Sequence, residues 1–417
     1  MNYKAYNFKT FNLYTIKTDK FKNCHVEVIF RQQITKENIM KRKFLIELMS
    51  YSMKKYPTQR ELSVYLEELY NASYYGLISR VGGTLFTSLC YDFLNPKYCE
   101  ENSLDKMLEF IIDSIMHPNI TDEKFDPKAF KLLQSIIINE IKSAKDNIKR
   151  EAYRALFKHM DEDAYLSYDM IGTVEEAQKI TEEDIFKEYQ TMLDSDLCDI
   201  YIVGNLDMDV VANYFATNLK LSVIKEKKFP LFCTGKSRSK ILTVKETADI
   251  NQANLLVGLD VHLTDEEKDA VGYVYNALLG SGSLNTKLGQ NLRQDNSLCY
   301  TVNSIYQKYD GVIVIYAGID EENAPKAINL IKKSLKEMIS DVSQTDLESA
   351  KKNLITSLKM ISDSPASLVN NYQFCNIAGL KPINKRIEDI NAVSILDIKK
   401  MAKKVKINTI YLLSGVK

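Results

Sequence analysis

A chain of 417 residues that is 45% hydrophobic and 26% charged is too apolar to stay disordered and long enough for about two to four separate domains. Lysine plus arginine equals aspartate plus glutamate at 55 each, and neither sign gathers into a long run, which argues against a nucleic-acid or membrane-surface partner. The seven cysteines are scattered and never spaced Cys-x-x-Cys, a usage suited to free thiols in a reducing compartment. With no apolar block of signal-peptide length near Met1 and no run approaching the roughly 20 residues of a membrane span, a soluble cytoplasmic protein is expected.

In chain order the elements come twice. The first series opens with the strand Val26-Glu27-Val28-Ile29-Phe30, a turn at 33–36 and a helix through Phe44-Leu45-Ile46-Glu47-Leu48-Met49. A helix over 59–70 follows, then a strand pair at 73–79 and 84–93 in which β-branched and aromatic residues alternate with polar ones. Helices over 103–116 and 128–145 lead to a helix start at 180–184 and a strand at 198–204. The second series has a strand at 253–259, a turn at 264–267 and a helix over 271–279, then a helix over 285–295 and a strand pair at 299–306 and 311–319. Helices over 323–340 and 345–361, a helix start at 393–397 and a strand at 409–415 complete it. Any α+β chain alternates in a similar way, but matching order and spacing along both series favour an internal duplication.

Between the series, residues 219–240 carry Lys-rich stretches, Pro230 and Thr234-Gly235-Lys236-Ser237-Arg238-Ser239, a composition that reads as an exposed linker. The expected fold is therefore α+β. Two homologous domains, 1–218 and 241–417, each form a mainly antiparallel sheet covered by helices, and the two face each other across a cavity.

Three local runs narrow the reading. They are Gln134-Ser135-Ile136-Ile137-Ile138-Asn139-Glu140-Ile141, then Gly172-Thr173-Val174-Glu175-Glu176 with Ile180-Thr181, and Leu292-Arg293-Gln294-Asp295-Asn296-Ser297-Leu298-Cys299-Tyr300 behind the turn Gly280-Ser281-Gly282-Ser283. Together they resemble the pitrilysin/insulinase-like (inverzincin) peptidases, whose chains are built from a duplicated domain of this kind, and the resemblance covers essentially the whole chain. The first run is similar to the family's helix bearing the distal zinc-ligand glutamate, the second to its Gly-Thr-x-Glu segment, and the third to its Arg-x-x-x-x-Leu-x-Tyr element.

Active members carry His-x-x-Glu-His on the first helix. Histidines four apart share a helical face and hold Zn²⁺ together, while the glutamate activates the metal-bound water. Lys54-Lys55-Tyr56-Pro57-Thr58 resembles the segment just past that helix, so the motif falls on Lys43-Phe44-Leu45-Ile46-Glu47. Lys43 and Glu47 then stand at the ligand positions and Ile46 at the base, with Glu140 left at the third ligand position. Taken alone, such a glutamate is most simply a solvated or ion-paired residue. The histidines, His25, His117, His159 and His262, include no pair three to five apart. The expectation is no metal in this chain and zinc only in a partner.

For Arg293 and Tyr300 the resemblance implies contacts to the substrate backbone and the oxyanion, made in trans, and a fixed cation with a phenol hydroxyl suits developing negative charge. An Arg paired on a helix surface and a Tyr packed on a sheet is the plainer alternative. Loss of the zinc residues beside retention of Arg293 and Tyr300 resembles the zinc-less subunit of the family's two-chain bacterial members. The implied protein is a catalytically incomplete peptidase subunit. Its partners would be a zinc-containing relative of similar length and a peptide or unfolded protein segment, with neither nucleic acid nor membrane. A non-proteolytic scaffold for peptide binding or maturation is the alternative. An independent enzyme has little support, since no phosphate-binding Gly-rich loop or Gly-x-Ser-x-Gly elbow is present.

Overall fold

A computed structural model describes residues 2–100, 103–223, 228–263, 269–282 and 285–415; the turn expected at 264–267 and Ser283 lie outside these. The first half runs β1 (Asn2–Asn7), β2 (Asn12–Lys17), β3 (Asn23–Gln33), α1 (Lys36–Tyr51), α2 (Gln59–Glu68), β4 (Ser73–Val81), β5 (Thr84–Leu94) and α3 (Ser103–Met116). A small hairpin of β6 (Ile120–Thr121) and β7 (Lys124–Phe125) follows, then α4 (Pro127–Lys145), α5 (Ile148–Met160), α6 (Val174–Lys179), α7 (Glu182–Ser195), β8 (Leu197–Gly204) and α8 (Met208–Asn218). The second half runs β9 (Leu242–Ala248), β10 (Ala253–Val261), α9 (Ala270–Leu279), β11 (Cys299–Gln307), β12 (Val312–Ile319), α10 (Ala324–Ser340) and α11 (Gln344–Met360). It closes with α12 (Pro365–Ala378), α13 (Ile383–Ala392), α14 (Ile395–Ala402) and β13 (Val405–Gly415).

The fold is α+β with two mainly antiparallel sheets, and their topologies agree. The first sheet has the order β1-β2-β8-β3-β5-β4 and the second β11-β12-β10-β13-β9. Read from the other edge, β9-β13-β10-β12-β11 follows β2-β8-β3-β5-β4 strand for strand. The single parallel pair of each sheet also falls at the same place, β2 with β8 and β9 with β13. Helix starts are written into the sequence as reciprocal capping boxes, in which a Thr or Ser and the residue three positions on each bond the other's backbone N–H. Thr35/Asn38, Thr58/Glu61, Thr173/Glu176, Thr181/Asp184 and Ser394/Asp397 all have this geometry.

By contacts the chain divides into two units, residues 1–143, 169–231 and 362–374, and residues 144–168, 232–361 and 375–417. These depart from the expected cuts at 218 and 241 because each half lends a segment to the other unit. In the first unit, Val26, Val28 and Phe30 on one face of β3 pack with Phe44, Leu45 and Leu48 of α1 and with Phe110 and Ile111 of α3. Tyr372 of α12 stacks on Tyr3 at 4.6 Å. In the second unit, α9, α10, α11, α13 and α14 cover one sheet face, while Ala152, Leu156 and Met160 of α5 cover the other through Leu256, Val314, Tyr316 and Tyr411.

The segment read as an exposed linker is tied down in its second half. Gly83 N–H donates to Pro230 O at 2.7 Å, and Cys233 N–H donates to Tyr309 O at 2.8 Å. Gly82, at φ +54°, must be a glycine: a Cβ there would lie 1.8 Å from Leu231 O. Lys236 adds a backbone hydrogen bond to Asp161 and an ion pair with Asp163.

Candidate functional site

Helix α1 is held from inside. Arg42 is fully buried and forms ion pairs with Glu188 Oε1 at 2.5 Å and Asp196 Oδ2 at 2.7 Å, and Phe44 stacks on Phe130 of α4 at 5.5 Å. Against that anchor the four residues of the degenerate motif have fixed fates. Ile46 is 2% exposed and faces β4 so closely that a Cβ on Gly76 would lie 2.2 Å from its Cγ1. It is a core residue whose alkyl side chain cannot take up a proton. Lys43 Nζ lies 2.9 Å from Glu140 Oε2, with the two side chains 13% and 52% exposed. Glu47 is half-buried; burial first, and Glu140 second, push its carboxyl above the ordinary range, while Lys43 works the other way.

This donor set does not fit a zinc ion. An ammonium offers no lone pair and repels a cation, an alkyl side chain replaces the base, and only two carboxylates remain as acceptors. Among the described residues, no three His, Cys, Asp or Glu side chains gather in a way that could hold a metal. Three of the four histidines are spent elsewhere: His25 on Asp92 at 2.9 Å, His159 on Glu246 at 2.9 Å, and His262 on Ser237 at 2.8 Å.

Arg293 and Tyr300 belong to the second unit, and the structure brings them together. Arg293 Cζ sits 5.2 Å from the centroid of the Tyr300 ring, a cation–π contact. Tyr300 is 81% exposed at the start of the edge strand β11. Arg293 is half-buried, and among the described residues its guanidinium meets no carboxylate. Among the described residues, neither side chain forms an ion pair, and neither is fully buried.

The local backbone is unusual. In place of the ordinary helix expected over 285–295, Gly289–Gln294 winds as a π-helical turn, a geometry common at functional sites. Leu288 and Leu292 go into the core, and Asn291 Nδ2 donates to Glu337 Oε2 at 2.6 Å and Ser334 Oγ at 3.0 Å of α10. The segment closes through Ser297 N–H to Arg293 O and Leu298 N–H to Leu292 O. Ser297 adopts a left-handed conformation at φ +50°, a strained choice for a residue other than glycine. A polar pocket of about 220 Å³ lies beside the turn, lined by Asn285, Thr286, Lys287, Gln290 and Gln294. A larger cavity of about 720 Å³, with Phe232, Asp269, Lys308 and Lys381 in its wall, shares no residue with it.

Known proteins resemble this chain in sequence and in fold. Residues 179–354 match the family described as "Peptidase M16 inactive domain". Among curated proteins, the chain is 24% identical over 413 residues to "Probable inactive metalloprotease YmfF" of Bacillus subtilis (strain 168), covering 96% of this chain and 95% of that one. It is also 24% identical over 336 residues to "Uncharacterized zinc protease YmxG" of the same strain, covering 78% and 79%. Among solved structures, a conserved protein from Enterococcus faecalis V583 shares the fold with a TM-score of 0.93 at 24% identity, over 100% of this chain and 99% of that one. A peptidase M16 inactive domain from Pseudomonas fluorescens does so with a TM-score of 0.79 at 14% identity, over 100% and 99%. Among the described residues, no helix is long and apolar enough to cross a membrane.

Proposed function

We propose that this chain, an inactive-type relative of the M16 (pitrilysin/insulinase-like) peptidases, works as the zinc-less subunit of a two-chain peptidase and supplies Arg293 and Tyr300 to peptide bound by a zinc-bearing relative. The observation that carries the reading is an asymmetry within one chain. The residues that the resemblance puts at the family's metal position, Lys43, Ile46, Glu47 and Glu140, make a set that cannot hold zinc, while the half-buried Arg293 guanidinium and the exposed Tyr300 phenol meet on a braced turn without an ion pair. Preorganised donors on a rigid support are what stabilisation of an oxyanion requires, because the support removes the cost of reorganising them during reaction. Curated relatives named as an inactive and as a zinc protease, both from Bacillus subtilis, support a division of labour between two chains. The ligand is expected to be an extended peptide, held through its backbone by donors such as these.

The test is Arg293→Ala in the complex with a zinc-bearing relative of similar length from the same organism. The variant complex is expected to assemble normally and to lose about 2–4 kcal/mol of transition-state stabilisation, a factor of about 10²–10³ in kcat. Tyr300→Phe should act in the same direction and more weakly, since a neutral hydroxyl is a weaker donor than guanidinium. Unchanged turnover in an assembled variant complex would move the reading to a peptide-binding or maturation scaffold, and loss of assembly would make the pair an interface element.

A further inference from the structure

Lys43, Glu47 and Glu140 bring two carboxylates and one ammonium to the junction of α1 and α4. Glu47 lies one helical turn beyond Lys43 and on the same face, and Lys43 Nζ reaches across to Glu140 Oε2 at 2.9 Å. Two carboxylates close enough to influence each other cannot both ionise cheaply unless a cation lies beside them. A divalent ion answers that need with two positive charges. A single ammonium answers part of it, and Lys43 stands within ion-pair distance of Glu140 and one turn from Glu47. The Lys43 side chain is largely shielded, so its charge is less screened than that of a surface lysine.

We propose that Lys43 is a built-in counterion, whose ammonium balances Glu47 and Glu140 at the position where active relatives place a metal and so closes that position to metal. Nothing in this depends on a partner chain or on Arg293 and Tyr300. The degenerate motif is then a rebuilt ion cluster, in which one lysine is the cation for two carboxyls. Removing the lysine leaves two carboxyls that repel each other with no cation beside them, and the sign of Glu140's own contribution to stability must reverse.

The experiment measures urea unfolding at neutral pH for the full chain, Lys43→Met, Glu140→Gln and the double variant, together with the zinc content of the wild-type protein. Glu140→Gln is expected to lower the unfolding midpoint in the wild-type background, where it removes the partner of Lys43. It is expected to raise the midpoint in the Lys43→Met background, where it relieves repulsion with Glu47. If Lys43→Met does not fold, Lys43→Gln serves as the background. A shift of the same sign in both backgrounds would overturn the proposal, as would stoichiometric zinc in the wild-type protein that Glu140→Gln removes.

Discussion

At the residue scale, the departure from the zinc motif was legible because it changes chemical type: of Lys43, Ile46 and Glu47, only Glu47 offers a metal a lone pair, and no two histidines of the chain stand three to five apart. What the sequence could not supply was where those side chains went. The pairing of Lys43 with Glu140, and the burial of Ile46 against Gly76, are tertiary contacts between elements distant in the chain. Glu47 makes a prediction of its own. Its carboxyl is raised in the folded state by burial and by Glu140, so the folded protein binds that proton more tightly than the unfolded chain does. The stability owed to it is therefore full below the ordinary carboxylate range and lost as pH climbs through the raised value. Glu47→Gln, neutral at all pH, should be more stable than wild type at pH 7 and lose that advantage on acidification. Chemical denaturation at pH 7 and at pH 4 checks this, and a constant difference between the two would count against it.

At the scale of elements, capping residues and strand alternation marked most helices and strands. The helix starts at Thr181 and Ser394 are capping boxes, and the strand pairs stand close to the expected spans. Two features were not legible. Leu288 and Leu292, four apart, look the same on a π turn as on an α-helix, and the difference lies in backbone bonds that no side-chain pattern records. Helices α5 and α12 went unread because their apolar faces meet surfaces built from the other half of the chain, with Met160 pressed against Gly258 and Tyr372 against Tyr3. A Cβ on Gly258 would lie 2.3 Å from Met160 Sδ. Gly258→Ala should cost about 1–3 kcal/mol through overpacking, and a second change, Met160→Ala, should recover part of that loss. Equilibrium unfolding of the single and double variants checks it; additive losses would show that α5 does not rest on that glycine.

At the scale of the whole molecule, the repeat of elements reflects two sheets with the same strand order and the same placement of the parallel pair. On the proposed reading, a duplicated plan would let one half lose a metal position while the other keeps its polar donors, because the two features sit on separate elements with separate packing. Composition had little to say about function here: balanced charge and scattered cysteines name no partner, and the candidate site was proposed from residue types at positions that resemble the family's motifs. The account stands on cooperation between chains, so the most direct measurement is peptidase turnover of this chain alone, of its zinc-bearing relative alone, and of the two co-purified, on the same extended peptide. The account predicts no turnover from this chain, little from the relative, and turnover in the complex that is lost when the relative's zinc is removed. Metal-dependent turnover by this chain alone, or a complex no faster than the relative by itself, would contradict it.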